Sequence, residues 1–214
     1  FIRLFGPREV RLHGELLRPL RTRRGEWLLA LLTLRRDQPV ERPWLAGILW
    51  PESDNRQGAD NLRRTLTDVR QALGQEASRL LSPTAHTLSL HLAEGEADVV
   101  AFDQAIARGD LASLEEATSH YRGPLVEGCY EEWLIPDRLA REQGYLIALE
   151  TLAAEALAGG DAAAAERYLR RAVAADPLRE SAQRTLMQTL AARGSYGAAL
   201  LVYRELRLLL HRQL

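Results

Sequence analysis

Residues 49–74, LWPESDNRQGADNLRRTLTDVRQALG, decide how the chain is understood: an aromatic stop, an acidic polar loop, then an arginine-bearing helix. From about Gln57 to Leu73, with Gly74 closing the helix, Leu62, Leu66, Val69 and Leu73 recur at spacings of four, three and four. That spacing makes one apolar stripe, which must face a core. Opposite it the wheel places Gln57, Asp60, Arg64, Thr67, Asp68 and Gln71, with Arg63 and Arg70 on one flank and Asn61 and Thr65 on the other. Such a helix is either a solvated surface helix or one that enters the DNA major groove. There, arginine bonds guanine in bidentate fashion, and asparagine or glutamine bonds adenine. Arg64 is the most outward arginine and the first candidate for a base; Arg63 and Arg70, at the margins, suit flanking phosphates. Asp68, one turn beyond Arg64, could brace that guanidinium, accept from a cytosine amine, or repel phosphate.

The flanks favour the groove. Upstream, FIRLFG and REVRLHG read as short antiparallel strands separated by turn residues. Residues 23–35 then form a helix ending near Asp37-Gln38-Pro39, and a short helix runs from Pro43 to Trp50, where Pro51 stops it. Downstream, residues 79–82 and 87–92 flank the turn SPTAH as a β-hairpin. Strands, three helices and a hairpin follow the order of a winged helix-turn-helix. From Asp98, which can cap the next helix, the pattern is helical to the end: two helices through residue 123, a long one from about Pro136 to Leu157, then 161–175, 178–193 and 196–212. The last part repeats at an offset of 34, with Gly160-Asp161 against Gly194-Ser195 and Leu152 against Leu186. That is the period of tetratricopeptide helix pairs. The expected fold is therefore mainly α with small β: a winged helix at 1–97, then an all-α tetratricopeptide-like domain at 98–214.

All 28 basic residues are arginine, so their number says little, but their distribution is uneven. Residues 1–80 hold 15 arginines against 10 carboxylates, and residues 81–214 hold 13 against 19. A polyanion would be held by the first part. No apolar run approaches a membrane span and the N-terminus lacks a signal-peptide layout, so a cytoplasmic place is expected. Cys129 stands alone and suits core filling. The histidines at 13, 86, 91, 120 and 211 show no ligand spacing, although His86 and His91 could be neighbours across the hairpin. No phosphate loop or nucleophile elbow is present, and neither an enzyme site nor a cofactor is expected.

The segments RGEWLLALLTLRRDQPVERPWLAGILWPES, NLRRTLTDVRQALG, YRGPLVEGCYEEWLIPDRLAREQGYLIALETLA and ADPLRESAQRTLMQTLAARGSYGAALLVYRELRLLL carry a resemblance spanning almost the whole chain. Residues 1–97 resemble the OmpR-type winged-helix DNA-binding domain. Residues 98–214 resemble the bacterial transcriptional activation domain that follows it in the antibiotic regulatory protein (SARP) family.

The resemblance implies an activator that binds directly repeated promoter sites on double-stranded DNA, with two subunits side by side, and recruits RNA polymerase. Carried over by position, the recognition helix is 60–73, its DNA side being Asn61, Arg63, Arg64, Thr65, Thr67, Asp68 and Arg70, with Gln71 added from the wheel. The wing tip, 82–87, offers Thr84, His86 and Thr87. Residues 51–58, with Glu52, Asp54, Asn55 and Arg56, correspond to the polymerase-contacting loop. Two departures stand out: the wing has no arginine, and Glu41-Arg42 stands where a Ser or Thr cap is usual before the second helix. Tyr130, Trp133, Arg138 and Arg141 are expected to pack the first helices of the activation domain against its long helix, or to face a partner. The abrupt ends suggest a piece of a larger regulator. A tetratricopeptide-like interaction module whose winged helix does not bind DNA is the competing expectation.

Overall fold

A computed structural model describes residues 1–36 and 38–213, so Asp37, expected near the end of the first helix, and Leu214, expected to lead on from the last, lie outside the described residues. The chain forms two compact units, residues 1–101 with 124–135, and residues 102–123 with 136–214.

In the first unit, strands β1 (Ile2–Arg3), β2 (Glu9–Leu12) and β3 (Glu15–Leu16) form an antiparallel sheet with Ile2 opposite Val10 and Leu12 opposite Glu15. Helix α1 (Arg23–Leu34) starts at Thr22, whose hydroxyl accepts from Gly25 N, and buries Leu28, Leu29, Leu31 and Leu32. Helix α2 is Arg42–Leu49, with Pro43 in its first turn and Trp50 N closing on Ala46 O at 2.9 Å. Glu41 makes no side-chain cap. Its place is taken by main chain: Arg42 N, a first-turn donor with no partner inside the helix, bonds His86 O at 2.8 Å. The cap missing from the sequence is thus supplied by the wing.

Helix α3 (Asn55–Leu73) begins two residues earlier than its pattern suggests, because Asp54 accepts from Gln57 N at 2.7 Å and caps it. It ends at Gly74, whose φ of 57° suits a residue without Cβ. Leu62, Leu66, Val69 and Leu73 are all buried, as the stripe requires. After a 3-10 turn (Gly74–Arg79), strands β5 (Leu80–Leu81) and β6 (Thr87–Leu90) make the expected hairpin. A two-residue strand, β4 (Val40–Glu41), joins β6 on its other side, so the wing sheet has the order β4-β6-β5.

Asp98, the first residue of helix α4 (Asp98–Arg108), does more than open that helix. It is 3% exposed, and its carboxylate accepts from Leu4 N at 2.8 Å and Phe5 N at 3.0 Å. The same N-terminal segment bonds residues 124–126, through Val126 N to Leu4 O at 2.7 Å and Gly6 N to Pro124 O at 3.1 Å. Arg24 reaches Glu131 at 3.0 Å and lies over the Trp27 ring, and Cys129 is buried in the core.

The second unit is helical: α5 (Leu111–His120), α6 (Ile135–Ala158), α7 (Ala162–Ala175), α8 (Glu180–Ala192) and α9 (Tyr196–Gln213). Helix α7 packs on α8 and α8 on α9. The offset of 34 is realised in the backbone: Gly160 and Gly194 take φ of 80° and 76°, and Asp161 N and Ser195 N bond Ala156 O and Leu190 O, both at 2.8 Å. Each is a left-handed helix stop that needs glycine. Small residues Ala164, Ala165, Ala172 and Ala182 are buried where the helices approach. Tyr121 stacks on Tyr145 with ring centroids 4.0 Å apart, and burial raises the Tyr121 hydroxyl far above its usual range. The fold is a winged helix with a tetratricopeptide-like helical part, mainly α with small β. No described helix is long and apolar enough to cross a membrane.

Candidate nucleic-acid interface

With its apolar stripe buried, α3 turns Arg63, Arg64, Thr67 and Gln71 to solvent, while Asn61 and Arg70 are half-buried at the margins. Arg63, whose side chain is 75% exposed, bonds Asp60 one turn back at 2.7 Å. An exposed pair of this kind contributes ~0–1 kcal/mol and yields readily to a stronger anion. Thr67 donates its hydroxyl to Arg63 O at 3.0 Å and keeps its oxygen lone pairs. Among the described residues Arg64 has no ion-pair partner.

Two positions expected on the DNA side are buried. Thr65 and Asp68 are 8% and 9% exposed. The start of α1 and the residues just before it cover that flank. A Cβ on Gly25 would stand 3.6 Å from the Thr65 methyl, and Asp68 accepts from Arg21 N at 2.9 Å with Arg21 Nε at 3.5 Å. The Asp68 carboxylate holds this segment instead of presenting itself to a groove. Its place on the rim is taken by the guanidinium of Arg21, 80% exposed. The wheel gave the direction of these side chains but not the neighbour that covers them.

The wing tip is knitted to itself. The Thr84 and Thr87 hydroxyls bond each other at 2.8 Å, Thr84 N bonds Thr87 Oγ1 at 3.2 Å, and His86 N bonds Thr84 Oγ1 at 3.2 Å. These hydroxyls hold the turn, while the His86 side chain stays exposed. At the foot of the wing, Arg42 Nη2 and Arg70 Nη2 donate to Ser82 Oγ at 3.0 Å and 3.3 Å. Burial first, and then the charge of Arg70, lower the Arg42 pKa. Sequence reasoning missed Arg21 and Arg42, and gave Ser82 only as the first residue of the wing tip. The one available hint was an arginine at the head of α2 with no carboxylate three or four residues away in the helix.

The loop before α3 is shorter than residues 51–58. Asn55 and Arg56 are exposed in the first turn of α3, and Asp54 is its cap, which leaves Glu52 as the exposed loop carboxylate not tied to the helix. The Trp133 indole N–H in the first unit is buried without an acceptor among the described residues, and Tyr130 is 88% exposed. In the second unit Arg141 bonds Asp103 at 2.7 Å and Asp137 at 2.9 Å, an architectural role. Among the described residues no cluster of His, Cys, Asp or Glu is placed to hold a metal ion.

The family model for the bacterial transcriptional activator domain matches residues 85–214. The transcriptional regulatory protein MoaR1 of Mycobacterium tuberculosis (strain ATCC 25618 / H37Rv) is 29% identical over 228 residues, covering 99% of this chain and 73% of that protein. The structure of Mycobacterium tuberculosis EmbR in complex with a low affinity phosphopeptide superposes with a TM-score of 0.75 at 21% identity. That match covers all of this chain, which spans 60% of the EmbR chain, and it shows a shared fold.

Proposed function

Because the chain belongs to the bacterial transcriptional activator domain family and is a SARP-type transcriptional regulator, not an enzyme, we propose that it activates transcription by binding specific double-stranded DNA through α3. The observation that carries this is the exposed row Arg63, Arg64, Thr67 and Gln71 opposite a fully buried leucine stripe. A helix of 19 residues is ~28 Å long, and its width matches the major groove. Arg64 reads a base, with Asn61 and Gln71 beside it, while Arg63 and Arg70 hold phosphates. Arg21 adds charge on the opposite rim.

In this reading residues 1–97 form the DNA-binding domain and 98–214 the activation domain. The sites are direct repeats near a promoter, which seat two subunits side by side. Glu52 on the loop before α3 meets RNA polymerase. Selection of bound sequences from a random duplex pool tests the reading. Enrichment of one motif in direct repeat supports it. A pool that stays random, with no retention at low salt, would leave the helical unit as a protein-interaction module and remove the DNA reading.

A further inference from the structure

The wing segment SPTAHT, residues 82–87, contains no arginine, yet two arginines meet at its foot. Arg42 comes from the head of α2 and Arg70 from the last turn of α3, and both end on one hydroxyl, Ser82 Oγ, at 3.0 Å and 3.3 Å. A neutral oxygen cannot neutralise two guanidinium groups. Among the described residues neither arginine has a carboxylate partner, and Arg42 Nε is buried with no acceptor. Holding a half-buried charge without a counter-ion is unfavourable, and the two like charges add to the cost.

The unmet chemistry is specific. Each guanidinium keeps N–H donors in a planar fork that matches a tetrahedral oxyanion. The Ser82 oxygen uses its two lone pairs on the arginines, so its own O–H is left to donate. The donors therefore converge on an anion with several oxygens. Arg42 also lines a surface groove beside α3, together with Ala46, Gly58, Ala59, Arg63 and His86.

We propose that Arg42, Arg70 and Ser82 form a clamp for one phosphodiester of the DNA backbone, two helices lending the wing the charge its own sequence lacks. This rests on the DNA-binding reading and names a backbone contact within it. The clamp positions the duplex and carries no base preference.

The test is equilibrium binding of the full chain to a random-sequence duplex between 50 and 200 mM salt. If both arginines serve one phosphate, R42A/R70A lowers the slope of log K against log salt by about 0.9, equivalent to about a 3.5-fold change over that range. The single variants fall between the double variant and wild type. Removal of the exposed Arg184 on α8 leaves the slope unchanged.

A second variant works in the opposite direction. S82D places a carboxylate between the arginines, so the melting temperature rises while duplex affinity falls. An unchanged slope in R42A/R70A overturns the clamp, and a drop of about 1.8 overturns it in favour of two separate phosphate contacts. Protection of wild type but not R42A/R70A by inorganic phosphate, with the DNA slope unchanged, makes this a free-anion site and also overturns it. No duplex binding by wild type at low salt refutes the DNA reading itself, an outcome distinct from a bound duplex with an unaltered slope.

Discussion

In the helical unit two half-buried arginines are matched to carboxylates, Arg141 to Asp103 and Asp137 and Arg179 to Glu150 at 2.7 Å. The exposed Arg193 reaches Glu166, and the half-buried Arg171, with no carboxylate partner among the described residues, donates to Thr118 O at 2.6 Å and lies over the Tyr145 ring. Burial is the largest single influence on Arg141 and lowers its pKa, but the hydrogen bonds and charges of Asp103 and Asp137 together outweigh it and raise the pKa. Around α3 the pattern inverts. Arg42 is half-buried with only a hydroxyl partner, its pKa falls, and among the described residues Arg64 has no partner. The same residue type therefore serves two ends. An arginine neutralised within the chain holds helices together, whereas one left without a counter-ion is available to an external anion. Arginine content could not separate these uses; the placement of Asp and Glu does.

The strongest way to break this comparison is to remove a carboxylate that folds the chain. Asp98→Ala leaves the buried N–H groups of Leu4 and Phe5 without their acceptor, at about 1–3 kcal/mol each. We expect a loss of about 3 kcal/mol or more in urea unfolding, and a loss under about 1 kcal/mol would show that the carboxylate is not the anchor. Arg141→Ala should cost about 2 kcal/mol by the same measurement, with duplex affinity untouched. A change in DNA affinity there would erase the distinction between the two arginine classes.

Arg64→Ala sharpens the other side. Selective DNA binding should fall by about 5- to 150-fold, equivalent to ~1–3 kcal/mol, with an unaltered melting temperature. Equal affinity for the selected motif would remove Arg64 from base reading. Asp54→Ala should cost ~1 kcal/mol of stability through the lost α3 cap, so its effect on transcription cannot be assigned to polymerase contact alone. Glu52→Ala, free of that complication, should change stability by less than about 0.5 kcal/mol and leave DNA affinity intact while lowering promoter output in transcription with purified polymerase. Reduced DNA affinity in that variant would place Glu52 in the DNA interface instead.

Much of the fold was legible because its periodicities are local. The four-three-four stripe of α3 and the helix stops at Gly160 and Gly194 follow from spacing and from backbone angles that favour glycine. Strand β4 was not legible. Two residues cannot display alternation, and Val40 and Glu41 are extended because they pair with Leu88 and Thr87 across the chain. The interface was legible only in part for a related reason. A helical wheel assigns Arg64, Thr67 and Gln71 to the outward side correctly, but it cannot know that Gly25 lies beside Thr65 and that Arg21 N bonds Asp68.

The sequence by itself determined that α3 is an amphipathic helix third in a winged-helix order, followed by helix pairs at a 34-residue spacing, since these depend on intervals along one chain. Only the tertiary structure decided which polar residues remain free. It turned Asp68 into an anchor for Arg21 N, made Asp54 a cap, and brought Arg42 and Arg70 onto Ser82 from positions 40 and 12 residues away. The physical reason is that a charge is neutralised by whatever lies within hydrogen-bond reach in space, and that neighbour is set by the packing of α1, α2 and the wing around α3.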